Sequence, residues 1–165
     1  RTVNQALAAV WPTFHAANPE WQLLHLTGPA DEAATKAAYA AAGAPAHVLA
    51  FTHEMPLALA AADLVVSRAG ASTLAELTAL GLPSILLPYP YHRDRHQHAN
   101  AQVLVDAGAA VLLEDQLDPA RNAGPLAAAL QNLADPQRRR AMAAASRRLA
   151  RADAAERVAE WLLAE

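Results

Sequence analysis

The feature that most constrains this chain is an alternation. Five short apolar runs, 21–28 (WQLLHLTG), 47–52 (HVLAFT), 63–70 (DLVVSRAG), 83–90 (PSILLPYP) and 109–115 (AAVLLED), are separated by stretches with helical composition. The runs are apolar almost throughout rather than at every second position, so strands built from them are covered on both faces. Helices are expected over 31–42, 55–61, 72–80, 95–107, 119–134, 137–150 and 153–164. Gly43, Gly81 (with Pro83 behind it) and Gly108 are stop signals. Asp118, Asp135 and Asp153 are candidate N-caps, and Pro119 and Pro136 suit a first helical position. Strand and helix in strict alternation predict an α/β fold, a Rossmann-like doubly wound parallel sheet, in one domain spanning 1–165. One departure stands out: residues 1–10 (RTVNQALAAV) already read as helix. A domain of this kind usually opens on a strand and a phosphate-binding turn.

Composition removes several function classes. With 165 residues, 54% hydrophobic and 18% charged, the chain can bury a full core. A net charge of −3 offers no overall footprint for nucleic acid. The arginines at 138–140, 147, 148 and 151 read first as the solvated face of a helix, and second as a patch for an anion or acidic lipid. There is no cysteine, which removes disulfides and thiolate metal sites. The apolar window 37–51 is too short to span a bilayer and is broken by Gly43, Pro45 and His47. The first residue is Arg1 rather than Met, which suggests a fragment or a processed chain.

Ligands of parallel sheets bind beyond the carboxyl ends of the strands, so segments 51–55, 68–76 and 88–100 are expected to converge. "SRAGASTLAEL" (67–77) reads as strand, glycine turn and helix start. Gly70 permits close backbone approach, and the N–H groups of Ala71, Ser72 and Thr73 with the helix dipole favour a phosphate. Glu76 has two readings: half of a Thr73–Glu76 capping box, or a carboxylate accepting both hydroxyls of a ribose. Arg68 either neutralises phosphate charge or covers a strand edge. "YPYHRDRHQHANA" (89–101) gathers His92, His96 and His98, but His92 precedes the helix and no second carboxylate cluster supports zinc. Gln97 and Asn100 both donate and accept hydrogen bonds, which suits a sugar better than a cation; capping of the helix by His96 and Gln97 is the plainer alternative.

Taken together, "SRAGASTLAELTALGLPSILLPYP", "DRHQHANA" and "DAGAAVLLED" resemble the C-terminal, donor-binding domain of the MurG family. These bacterial N-acetylglucosaminyltransferases make the second lipid intermediate of peptidoglycan. The resemblance implies one half of a GT-B glycosyltransferase. Its donor would be UDP-N-acetylglucosamine, transferred with inversion to the 4-hydroxyl of a lipid-linked muramoyl-pentapeptide. It implies that the backbone at Thr52 holds the uracil, with Met55 nearby, although the family usually carries an aliphatic residue at the Thr52 position. Gly70, Ala71, Ser72 and Thr73, with Arg68 beside them, would meet the diphosphate, Glu76 the ribose, and His96, Gln97 and Asn100 the sugar. His92 and His98 would be bystanders, and Arg93 and Arg95 receive no role.

The resemblance also implies no metal or other cofactor and no catalytic residue in this chain. A Gly-Gly-Ser-x-Gly loop and the first strand are expected just before Arg1, and an acceptor-binding domain carrying the general base before those. Without that strand the sheet would have an open slot and an exposed edge, and the chain alone would be inactive. The last helix, 153–164, would pack back toward the acceptor domain. The setting implied is the bacterial cytoplasm, at the cytoplasmic face of the inner membrane, with peripheral lipid contact and no nucleic acid. A stand-alone donor-binding subunit with a separate partner chain, another GT-B glycosyltransferase and a nucleotide-sugar epimerase are the competing readings.

Overall fold

The computed structural model describes residues 1–91, 94–151 and 153–164. Among the described residues, eight helices and five strands follow one another as α1 (Thr2–Ala17), β1 (Leu24–Leu26), α2 (Glu32–Ala41), β2 (His47–Leu49), α3 (Met55–Ala60), β3 (Val65–Ser67), α4 (Ala71–Leu80), β4 (Ser84–Leu86), α5 (His96–Asp106), β5 (Ala110–Leu112), α6 (Pro119–Leu133), α7 (Pro136–Arg148) and α8 (Ala154–Leu163). Every expected element is present and every strand pair is parallel. The ladders are shorter than the apolar runs, three residues per strand.

The strands form two hydrogen-bonded groups, β1–β2 and β3–β4–β5, instead of one continuous sheet. No main-chain ladder joins β1 to β3 among the described residues. The groups are united through side chains. Val48 of β2 and Ile85 of β4 lie in one buried cluster with Ala6, Leu7, Val10, Trp11 and Phe14 of α1 and Leu126, Leu130 and Leu133 of α6. The α1 positions recur at helical spacing, which makes a single apolar stripe. Leu86 points the other way, into a second cluster with Leu59 of α3, Leu74 and Leu77 of α4, Ala101 and Leu104 of α5 and Ala145 of α7. Ile85 and Leu86 on opposite faces of β4 express the two-residue period of a strand. Helices therefore cover both faces, as a doubly wound fold requires.

Helix ends follow local chemistry. Gly43, Gly81 and Gly108 take left-handed φ values of 62°, 69° and 75° just past α2, α4 and α5. Asp118 and Asp135 cap α6 and α7 through the N–H groups of Ala120 and Gln137, each at 2.8 Å. Asp153 corrects the third expected cap: its backbone sits at φ −87°, ψ 6° and its side chain makes no capping bond. A true N-cap residue is extended, which aims its oxygen at the helix.

Candidate functional site

The residues singled out by sequence lie at the carboxyl ends of β2, β3 and β4. Thr52 follows β2, and its hydroxyl accepts the Glu54 N–H at 3.0 Å, shaping the entry to α3. Met55 opens α3 and packs against the cluster that holds Leu59 and Leu74. The neighbouring Phe51 is 61% exposed and meets His53 edge-on, with 4.5 Å between ring centroids.

Gly70 is the N-cap of α4, extended at φ −67°, ψ 144°, and no side chain caps the helix. A Cβ placed on Gly70 would meet no protein atom nearer than Thr73 Oγ1 at 3.9 Å. A side chain there would intrude only on the space above the helix start. The first intrahelical bond is Leu74 N–H to Gly70 O, at 3.0 Å, which leaves the amides of Ala71, Ser72 and Thr73 without a main-chain partner in the helix. Helix α4 begins at Ala71, so Thr73 is its third residue and no Thr73–Glu76 capping box forms. Glu76 is exposed and shares a helix face with Ser72 and Thr73.

Helix α5 begins at His96, whose Nδ1 lies 2.8 Å from Asp94 Oδ1. Gln97 joins the two loops of the site: its Oε1 accepts the N–H of Tyr89 at 2.9 Å and that of Ala69 at 3.2 Å. Asn100 is half-buried, one turn along on the side of His96 and Gln97. His98 points to Glu114, Nε2 to Oε1 at 2.5 Å, and Arg95, at φ 49°, lies 3.7 Å from the same carboxylate. Arg95, His98 and Glu114 line a cleft of about 210 Å³ with Pro88, Tyr89 and Pro90; His96, Gln97 and Asn100 are not among its lining residues. His92 and Arg93 fall outside the described residues. Among the described residues, no group of three His, Asp or Glu side chains is placed to hold a metal ion.

Arg68 is turned into an enclosed network. Its Nη2 lies 2.6 Å from Asp115 Oδ2, and its Nη1 donates to Leu87 O at 3.0 Å and Pro88 O at 3.1 Å. Asp115 gave no signal in the sequence, because two of its partners, Thr2 and Arg68, are 113 and 47 residues away. Burial pushes the Asp115 carboxyl up. The hydrogen bonds from Asn122, Thr2, Arg68 and the Leu117 N–H outweigh that and hold its pKa down to about 2.

With three N–H groups at the α4 start lacking an intrahelical partner, and Ala69 just before them held by Gln97 of α5, the site suits an anion joined to a polyol. The pattern that defines the glycosyltransferase family 28 C-terminal domain matches residues 1–158. The chain belongs to this family. Among relatives of this family 28 domain is a Xylella fastidiosa protein, 46% identical across 100% of this chain and 45% of its own length. A Xanthomonas axonopodis pv. citri protein is 48% identical over 100% of this chain and 38% of its own. Both are named UDP-N-acetylglucosamine–N-acetylmuramyl-(pentapeptide) pyrophosphoryl-undecaprenol N-acetylglucosamine transferase. The crystal structure of Acinetobacter baumannii MurG superposes with a TM-score of 0.82 at 30% identity, over 97% of the family 28 domain and 48% of that chain. The domain thus spans less than half the length of each.

Proposed function

We propose that this domain binds UDP-N-acetylglucosamine as the donor half of an inverting N-acetylglucosaminyltransferase that converts the first lipid intermediate of peptidoglycan to the second. The observation that carries the reading is the uncapped α4 start linked by Gln97 to the α5 start. The amides of Ala71, Ser72 and Thr73 take the diphosphate. Glu76 accepts the ribose hydroxyls. The uracil lies at the Thr52 backbone with the exposed Phe51 ring beside it. His96, Gln97 and Asn100 read the sugar hydroxyls.

In the transfer, the muramoyl 4-hydroxyl attacks C1 of N-acetylglucosamine as the C1–O bond to UDP breaks. The proton goes to a base on the acceptor half, and UDP leaves with its new charge facing the α4 amides. A helix N-terminus aimed at developing charge is an electrostatic device of the oxyanion-hole kind, and it does the work of a metal here. Helix α8 belongs to the same reading. It buries no residue and exposes Val158, Trp161 and Leu162 at helical spacing, a stripe suited to packing on the acceptor half. No helix among the described residues is long and apolar enough to cross a membrane. We assign lipid contact to the acceptor half, which would hold the lipid-linked acceptor, at the cytoplasmic face of the bacterial inner membrane.

The test is calorimetry with UDP, UDP-N-acetylglucosamine and dTDP-sugars, with a transfer assay on the full-length enzyme in the presence of EDTA. Release of UDP coupled to lipid glycosylation and unaffected by EDTA is expected. Tighter binding of a dTDP-sugar, or no transfer, would sink the assignment.

A further inference from the structure

The Asp115 side chain is 0% exposed although it lies just past β5, among the loops that end the sheet. Each of its oxygens is held twice. Oδ2 takes Arg68 Nη2 at 2.6 Å and the Thr2 hydroxyl at 2.8 Å. Oδ1 takes Asn122 Nδ2 at 2.7 Å and the Leu117 N–H at 2.9 Å. The carbonyl oxygen of the Asn122 side chain accepts the Gln116 N–H at 2.9 Å, which locks the loop before α6. A buried charge is tolerated only when paired and saturated with hydrogen bonds, and this carboxylate is both.

Through Arg68 the ion pair reaches the site. Arg68 stands two residues before Gly70, and its Nη1 holds the carbonyls of Leu87 and Pro88, directly before Tyr89. Gln97 holds the N–H groups of Ala69 and Tyr89. The loops before α4 and α5 are therefore gripped twice, once by Gln97 and once by the ion pair, which anchors them to the start of α1 and the first turn of α6. Both terminal nitrogens of Arg68 are engaged, and its charge is matched by a wholly enclosed carboxylate. Little positive field is left over for a phosphate.

We propose that Arg68 and Asp115 are positioning residues for the nucleotide-sugar donor. Their ion pair sets the spacing between the helix start that takes the diphosphate and the helix start that takes the sugar, without touching the donor. This rests on the donor reading above. The competing role for Arg68, direct phosphate contact, predicts the opposite sign in one variant. If Arg68 were a phosphate ligand, Asp115→Asn would free its charge and tighten UDP. If the pair positions the loops, the same change loosens both.

The experiment uses the full-length enzyme with Asp115→Asn and Arg68→Lys. Amide exchange at Ala69 and Tyr89 is measured without ligand, and UDP and uridine affinities by titration. The expected result is roughly tenfold faster exchange at both amides and roughly tenfold weaker UDP binding, the size of coupling seen within one hydrogen-bond network. Uridine, which lacks the diphosphate, binds as before. Should Asp115→Asn not fold, Thr2→Val removes one donor from the same carboxylate and gives a smaller change of the same sign. Tighter UDP binding in Asp115→Asn overturns the proposal. So does unchanged exchange and affinity in a native background that binds UDP, and that outcome leaves the donor reading intact. A native enzyme that binds no UDP removes the donor reading, and with it the purpose assigned to the pair.

Discussion

The side-chain oxygen of Gln97 lies 2.9 Å from the backbone N–H of Tyr89, across the mouth of the β4–α5 connection. Because the same oxygen also takes the Ala69 N–H, the amide orientation is fixed, and the Gln97 NH2 group is left to donate outward. That division of labour gives a sharper expectation than capping or sugar reading alone. On the proposed donor reading, Gln97→Ala removes one donor to the sugar as well as the two loop ties. Affinity for UDP-N-acetylglucosamine is expected to fall about fivefold further than affinity for UDP, since one hydrogen bond contributes about 1 kcal/mol net. Titration of both ligands reads the difference, and an equal loss would leave Gln97 as a loop tie only.

His25 predicts how the fold responds to acid. It is buried on β1, with Nδ1 2.9 Å from the Tyr39 hydroxyl and Nε2 3.3 Å from Asn4 Oδ1. Burial pushes its pKa from 6.5 down to about 4, against an opposing pull from Asp31. The unfolded chain then binds a proton that the folded chain refuses, so stability is complete above pH 6.5 and is lost as pH falls toward 4. The loss is about 3 kcal/mol from a shift of this size. Urea midpoints at about pH 7.5 and 4.5 take in most of the window and stay above the range where Asp115 titrates. His25→Gln, neutral throughout, is expected to flatten the dependence; an unchanged slope would place the effect elsewhere.

Gly81 offers a backbone test. Its φ of 69° closes α4, and a Cβ there would fall 2.2 Å from Cγ of Arg147 on α7. Gly81→Ala is expected to destabilise by roughly 1–2 kcal/mol, the cost of a left-handed conformation for an L-residue, after Arg147 swings aside. Chemical denaturation measures it. Gly81→Ala with Arg147→Ala separates the two causes: the backbone cost persists when the long side chain is gone.

What the sequence disclosed and what it hid divide by range. Gly43, Gly81 and Gly108 act within one turn, and Asp118 and Asp135 reach only two residues ahead, so their patterns are visible along the chain. Asp153 has the same local pattern, yet its backbone left the extended region and the cap was lost. Apolar runs report burial and not which strand lies beside which, so they did not disclose the break between β1 and β3; the family resemblance, which implied an open slot in the sheet, did. The helix start at Ala71 was legible as strand, glycine and helix. The inward commitment of Arg68 was not, because its carboxylate sits 47 positions away on another strand end. Long-range pairing of charges has no periodicity to betray it.

Glu76 carries the most specific test of nucleotide recognition. The capping box that would explain it without a ligand does not form, since α4 starts at Ala71 and no side chain caps it. Glu76 stands exposed one turn along the face of Ser72 and Thr73, where a nucleotide whose diphosphate met the α4 amides would place its sugar. A carboxylate there can accept from both ribose hydroxyls at once. Glu76→Ala is therefore expected to weaken UDP by tenfold or more, as hydrogen bonds to a charged acceptor contribute roughly 1.5–3 kcal/mol. Binding of 2′-deoxy-UDP, already short of one hydroxyl, should weaken less, so the preference for the ribonucleotide collapses. Titrating both nucleotides against native and variant enzyme closes the cycle. Parallel losses for the two would move Glu76 away from the ribose.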